Sequence, residues 1–275
     1  MSDSILVTGG TGTLGSHVVP MLRRAGCDDV RVLSRKSQLS EDPAVSYVVG
    51  DLESGDGVQA AVAGVSTILH LAGSAKGDDL KAGSLVRAAA AVGVPHLVYV
   101  SVVGADRVPV HSGVDRAMFG YYAAKYAAEK TIAESGLPWT TLRATQFHDF
   151  VLAMAAGVTK LPIAPVFTGM RFQPIAAEEV AERLVELALG APAGLVPDLG
   201  GSRAFGMDEL VRSYLQARGR HRLLLPVRGP GGAARAMRAG ANLTLDRAVG
   251  RRSWDEFLAA HLAGNLATAQ PPRDS

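Results

Sequence analysis

Two periods of apolar residues alternate along the first half of the chain. Ser4-Ile-Leu-Val-Thr8 is a short, nearly continuous apolar run, and over 12–25 the residues Leu14, Val18, Val19 and Leu22 recur at helical spacing. That pattern predicts a strand, a tight turn and a helix. It then repeats, with strands expected over 30–33, 45–49, 67–71 and 96–100, a short helix near 58–62 and a longer one over 80–92. A helix over 121–135 stops at Gly136, and 139–142 reads as a sixth strand. Strands apolar on both faces and alternating with helices must be covered on both sides. The fold class expected is therefore α/β, a Rossmann doubly wound parallel sheet that binds ligands at the carboxyl ends of its strands.

Beyond residue 145 the pattern loosens. The segment 157–174 is rich in Gly and Pro; helices are expected over 178–189, 207–217 and 253–262, the last opening on the capping box Ser253-Trp-Asp-Glu256, and 195–199 is a strand candidate. This divides the chain into a nucleotide-binding core over 1–145, a smaller C-terminal α+β substrate lobe over 146–269 with some return to the core, and a frayed tail over 270–275.

Composition narrows the setting. With 275 residues, 48% hydrophobic and 20% charged, the chain has a globular composition and not a disordered one. Its single cysteine, Cys27, can form neither an internal disulfide nor a thiolate metal cluster, which suits a reducing cytoplasm. The weakly charged stretch 88–105 contains Pro95 and two glycines, so it reads as a helix end, a turn and a strand, and no membrane span is expected. Asp3 and the early Gly9 turn likewise give no signal-peptide pattern. Net charge is +2, yet 203–252 holds 11 arginines against Asp208, Glu209 and Asp246. These arginines are scattered among apolar positions without aromatic interleaving, so solvated helix surfaces are expected and not a nucleic-acid platform. The partner expected is a small-molecule substrate, and the chain a monomer or homodimer. His111 and Asp115 have no spaced partners, and no metal site is expected.

The chemistry begins at Thr8-Gly-Gly-Thr-Gly-Thr-Leu-Gly15, between the first strand and the first helix. Gly9 permits a sharp turn, Gly12 lets the backbone approach a pyrophosphate, and Gly15 allows close helix packing, while amides near Thr13 and Leu14 face the anion. At the end of the second strand, where an acid would bind the adenosine ribose, stand Ser34, Arg35 and Lys36, which suit the 2′-phosphate of NADP(H). Asp51 and Leu52 fit an adenine contact, and Leu71, Ala72 and Gly73 a backbone floor beside the cofactor.

With Gly50-Asp51-Leu52, His70-Leu-Ala-Gly73, Val98-Tyr-Val-Ser101, Tyr121-Tyr-Ala-Ala-Lys125 and Ser135-Gly-Leu-Pro-Trp-Thr-Thr-Leu-Arg143, this turn resembles the atypical short-chain dehydrogenase/reductase superfamily, in its NmrA-like branch. The resemblance covers most of the chain. It implies a nicotinamide-binding domain with a small substrate lobe, in a family of reductases, isomerases and proteins that only bind the cofactor.

Tyr121 and Lys125 lie four apart on one helix and project from one face. An ammonium beside a phenol favours the phenolate and lowers its pKa toward the working range. The resemblance adds that Lys125 bonds the nicotinamide ribose and that Tyr121 protonates a carbonyl oxygen as hydride arrives. The same residues also fit an aromatic helix face of Tyr121, Tyr122 and Tyr126 with Lys125 solvated, and Tyr122 is the fallback donor. Ser101 is the hydroxyl at the fifth strand's end, one place earlier than the superfamily's extended branch puts it, at Val102 here; its roles are carbonyl donor or backbone cap. Gln146, Phe147 and His148 should lie at the substrate mouth, and Met118, Phe119, Phe150 and Met154 fit either an apolar pocket or the core. The function expected is NADPH-dependent reduction of a carbonyl, imine or activated double bond in a small, fairly apolar molecule, and the alternative is a non-catalytic NADP(H)-binding sensor.

Overall fold

The computed structural model describes residues 4–37, 40–73 and 77–269, so the expected tail lies outside it. In chain order the elements are β1 (Ser4–Thr8), α1 (Gly15–Arg24), β2 (Asp29–Ser34), β3 (Val45–Val49), α2 (Val58–Val62), β4 (Thr67–His70), α3 (Asp78–Val92), β5 (His96–Val102), α4 (Gly113–Ala133) and β6 (Trp139–Ala144). The second half adds α5 (His148–Val158), β7 (Ile163–Phe167), β8 (Arg171–Phe172), α6 (Ala177–Leu189), β9 (Gly194–Leu195), β10 (Phe205–Gly206), α7 (Met207–Ala217), β11 (Leu223–Val227), α8 (Gly231–Arg238) and α9 (Trp254–Ala269).

Seven strands form one parallel sheet in the order β3-β2-β1-β4-β5-β6-β9. The strand period of two sends alternate β1 side chains to opposite faces. Ile5 and Val7 pack with Val18 and Leu22 of α1 and Val180 and Leu184 of α6. Leu6 packs on the other side with Val58 of α2, Leu85 of α3, and Ala128 and Ile132 of α4. The order of connection reverses between β1 and β4, which opens a crevice at their carboxyl ends.

The second lobe has its own core, built from Val151 of α5, Leu210 and Tyr214 of α7, Met237 of α8 and Trp254 of α9. Helix α6 and strand β9 lie in the layers of the first domain. The strand expected over 195–199 is regular only at Gly194–Leu195, although Val196 donates to the Thr141 carbonyl and Leu199 to that of Arg143, so the segment still follows β6. A buried amide network joins the lobes: Gln146 accepts from the Gln173 amide at 3.1 Å, and Gln173 donates to the Gly201 carbonyl at 2.8 Å.

Helix α4 begins eight residues earlier than periodicity suggests. A capping box explains it: Asp115 N donates to Ser112 Oγ at 3.0 Å, and Ser112 N donates to the Asp115 carboxylate at 3.2 Å. The same carboxylate accepts from Ala233 N at the start of α8, 3.1 Å away, and so ties the two lobes. Among the described residues no helix is long and apolar enough to cross a membrane.

Candidate active site

A cleft of about 1220 Å³ runs from the glycine turn, past the carboxyl ends of β4 and β5, into the second lobe. At its first end the backbone leaves no room for side chains. Gly9 has φ of +73°, and a Cβ there would stand 2.7 Å from Ala72 N; one on Gly15 would meet Gly10 Cα and Gly9 O at 2.4 Å. Gly12 borders the open cleft, its amide turned back to the Gly9 carbonyl at 3.0 Å. Thr13 and Leu14 line the cleft just before α1 starts at Gly15, three residues later than periodicity suggests, so the first turn of the helix faces the cleft. This cradle fits a pyrophosphate. Gly10 belongs to it as well, since a Cβ there would press on Val32 at 2.7 Å; the paired glycines at 9 and 10 carry that signal.

Ser34, Arg35 and Lys36 line the next stretch of the cleft, where the Lys36 amide donates to Ser34 Oγ at 3.2 Å. Arg35 and Lys36 are exposed, and no carboxylate among the described residues is ion-paired with either. Asp51, Leu52, Leu71, Ala72 and Gly73 also line the cleft. The Asp51 carboxylate is occupied in accepting from the Glu53 amide at 2.8 Å. Lys81 and Glu53, which the sequence does not single out, form an ion pair of 3.2 Å at the same wall.

Ser101, Tyr121 and Lys125 all line this cleft. Tyr121 is 38% exposed, edge-on to the buried Tyr122 ring at 5.9 Å between centroids. Ser101 is buried, and its hydroxyl has no hydrogen-bond partner among the described residues, so the backbone-capping role is not realised. A buried orphan hydroxyl is destabilising by about 1–3 kcal/mol, and a ligand oxygen in the cleft would satisfy it. Lys125 is buried; its ammonium donates to the Val100 carbonyl at 3.2 Å, pairs with Asp78 at 3.1 Å and lies 5.7 Å from the Tyr121 ring centre. Burial draws its pKa down, but the neighbouring Tyr99 hydroxyl and the Asp78 carboxylate outweigh that and hold it above the ordinary lysine value.

The expected depression of the Tyr121 pKa is not found. Desolvation of its hydroxyl end, and then the Asp78 carboxylate, which is itself paired with Lys125 at 3.1 Å, hold the phenol above its ordinary value. At neutral pH the Tyr121 hydroxyl in this setting keeps its proton.

Of the substrate-mouth residues, Phe147 lines the cleft. Gln146 does too, but its amide is taken up by Gln173 and by the Asn242 carbonyl at 3.4 Å, which makes it a joint between lobes. His148 is turned out of the cleft. It is fully buried against Phe257 at 4.8 Å and Trp254 at 6.1 Å between ring centres, and burial followed by Arg252 lowers its pKa to about 4. Its place at the first position of α5, a helix apolar around most of its circumference and so without a readable period, sends it into the second core. The far end of the cleft is lined by Met118, Phe119, Phe150 and Met154, joined by Met207 and Met237. Among the described residues no group of His, Cys, Asp or Glu could hold a metal.

A parallel sheet whose order reverses at a glycine cradle defines a dinucleotide-binding Rossmann protein. The chain belongs to the NAD(P)H-binding family, whose model matches residues 9–189, in keeping with its resemblance to the atypical short-chain dehydrogenase/reductase superfamily. Its cofactor class is a nicotinamide dinucleotide. It is 28% identical over 168 residues to the (4-alkanoyl-5-oxo-2,5-dihydrofuran-3-yl)methyl phosphate reductase of Streptomyces griseus subsp. griseus, covering 60% of this chain and 55% of that protein. It is 24% identical to quinone oxidoreductase 2 of Escherichia coli (strain K12), covering 78% of this chain and 75% of that protein. Apart from that second protein, the chain spans about half or less of the length of the curated relatives it matches. The crystal structure of the NADPH-dependent quinone oxidoreductase of Escherichia coli with NADPH shares the fold, with TM-score 0.76 at 18% identity over 94% of this chain and 99% of that one.

Proposed function

We propose that the chain is an NADPH-dependent reductase of a carbonyl, imine or activated double bond in an uncharged, apolar molecule, with Tyr121 as proton donor. The observation that carries this reading is the single cleft lined by the glycine cradle, by Ser101 and Tyr121, and by an end of Met and Phe. The named relatives that act as reductases, on quinones and on a furan phosphate among others, support the class of reaction.

Gly9, Gly12 and Gly15 would hold the pyrophosphate, and Arg35 with Lys36 the 2′-phosphate that distinguishes NADPH from NADH. The bound cofactor supplies a hydride. Ser101 donates to the acceptor oxygen and polarises it, Tyr121 delivers the proton, and Lys125 holds the ribose side of the site. The Met and Phe walls would orient an apolar body without fixing one shape, since Met packs adaptably. A buried Cys27 thiol suits a reducing cytoplasm.

The test is Tyr121→Phe, which keeps the ring and removes the proton. With NADPH and a panel of quinones, aldehydes and enones, it should lower kcat by about 10²-fold or more with NADPH affinity unchanged. A sensor that only binds cofactor would show tight NADPH binding and no turnover in either form. Equal rates in the two forms would remove Tyr121 from the chemistry.

A further inference from the structure

The Lys125–Asp78 pair is more deeply buried than the reaction as drawn requires. Side-chain exposure is 4% for Lys125 and 1% for Asp78, with 3.1 Å between Nζ and Oδ2. Asp78 is the first residue of α3, where the unpaired backbone amides of the helix start favour a negative charge. Gly73 makes room for the contact: a Cβ there would stand 3.0 Å from Lys125 Nζ and 3.3 Å from Asp78 Oδ2. The ammonium thus sits at the cleft floor, under Tyr121, with the carboxylate at 3.1 Å and the centre of the phenol ring at 5.7 Å.

We propose that Asp78 is a positioning residue that clamps Lys125 and cancels its charge, so that Tyr121 stays a phenol, the form that donates a proton, through and above the neutral range. The proposal rests on the reductase reading above. Its physical core is simple: a bare ammonium near a phenol draws out the proton, whereas an ammonium and a carboxylate in contact present almost no net charge to it. Reduction consumes a proton, and the clamp keeps the group that delivers it protonated to higher pH. The other titratable groups facing this spot do not replace Asp78. Tyr99 of β5 lies under the ammonium at 4.9 Å and is kept neutral by burial, as is Tyr122 of α4. His70 of β4, stacked on Tyr99 at 5.3 Å, is held at about 3 by burial, with Lys125 and then Lys81 adding to it. Lys81 of α3 is engaged with Glu53.

The experiment reads Tyr121 directly and needs no substrate. Phenolate absorbance in the ultraviolet is titrated in the full chain and in Tyr121→Phe, and the difference is the ionisation of Tyr121. The same difference is then taken in an Asp78→Asn background. Loss of the carboxylate should move the Tyr121 midpoint down by about one to three pH units. Gly73→Ala, which wedges the pair apart while keeping both charges, should move it the same way by less, and it decides the matter alone if Asp78→Asn does not fold. A midpoint unchanged in the folded variants overturns the proposal, as does an upward shift. Turnover with 1,4-naphthoquinone adds a second readout: in Asp78→Asn the alkaline fall of kcat should begin at lower pH, whereas a merely structural role lowers kcat evenly across pH. If the natural chain consumes no NADPH with any acceptor, the reductase reading fails while the titration still decides the clamp.

Discussion

Glu129→Gln is expected to destabilise the protein severely, although the residue touches neither end of the cleft. Arg143, at the end of β6, is held by Glu129 of α4 through two hydrogen bonds, Nε to Oε1 at 2.9 Å and Nη2 to Oε2 at 2.6 Å, and both side chains are 9% exposed. The geometry is the fork-to-fork pairing that makes arginine and carboxylate specific. Glu129 sits one turn past Lys125, so the pair fastens the helix that carries Tyr121 to the strand that leads into the substrate end. Removing one partner of a buried pair costs about 3–5 kcal/mol, because the other charge is left desolvated. The lower end applies here, since Asp106 remains 3.0 Å from Arg143 Nη1, though it is 37% exposed. About 3 kcal/mol corresponds to a fall in Tm of about 6 °C or more for a chain of this size. Urea unfolding gives the free energy, and melting gives the temperature. The double variant Glu129→Leu with Arg143→Met, which fills the space without charge, should recover most of the loss. A loss under about 1 kcal/mol in Glu129→Gln, or a double variant no better than the single, would refute the reasoning.

What the sequence made legible was whatever has a short-range signature. The strands and helices of the first domain follow from apolar period, and the cofactor cradle from the placement of Gly9, Gly12 and Gly15 between a strand and a helix. The pairing of Tyr121 with Lys125 on one face follows from their spacing. The missing parts are set by partners distant in the chain. Asp78 reads as an ordinary acidic residue at a helix start, and only the parallel neighbours β4 and β5 bring it under Lys125, which reverses the expected effect on Tyr121. His148 reads as a polar residue past a strand end, yet the direction of α5 sends it against Trp254, more than a hundred residues on. Helix α4 is the converse case, since Ser112-Gly-Val-Asp115 is a capping box whose signature was present in the sequence.

The remaining expectations concern the cofactor and pH. Arg35→Ala should weaken NADPH binding by about tenfold or more, the scale of one charge-assisted hydrogen bond, and leave NADH unchanged; fluorescence titration with both cofactors checks it, and equal losses for the two would place Arg35 elsewhere. Gly15→Ala, whose Cβ meets the Gly9–Gly10 backbone at 2.4 Å, should weaken both cofactors alike by about tenfold or more, because the whole turn must move. Stability should rise between about pH 4 and pH 6.5 and then level off. His70 is held at about 3 and His148 at about 4, both by burial first, against an ordinary 6.5. In that window the unfolded chain binds protons that the folded chain refuses, so acid favours unfolding, by about 1.4 kcal/mol per pH unit for each histidine. The stability from these two groups is thus fully present above 6.5 and is lost as the pH falls below it. His148→Phe, which keeps a ring against Phe257 and Trp254, should remove about half of the slope contributed by the pair, and His70→Gln the other half. Urea midpoints measured across this range decide it: a slope as steep in both variants as in the natural chain would mean that the two imidazoles take up protons without unfolding.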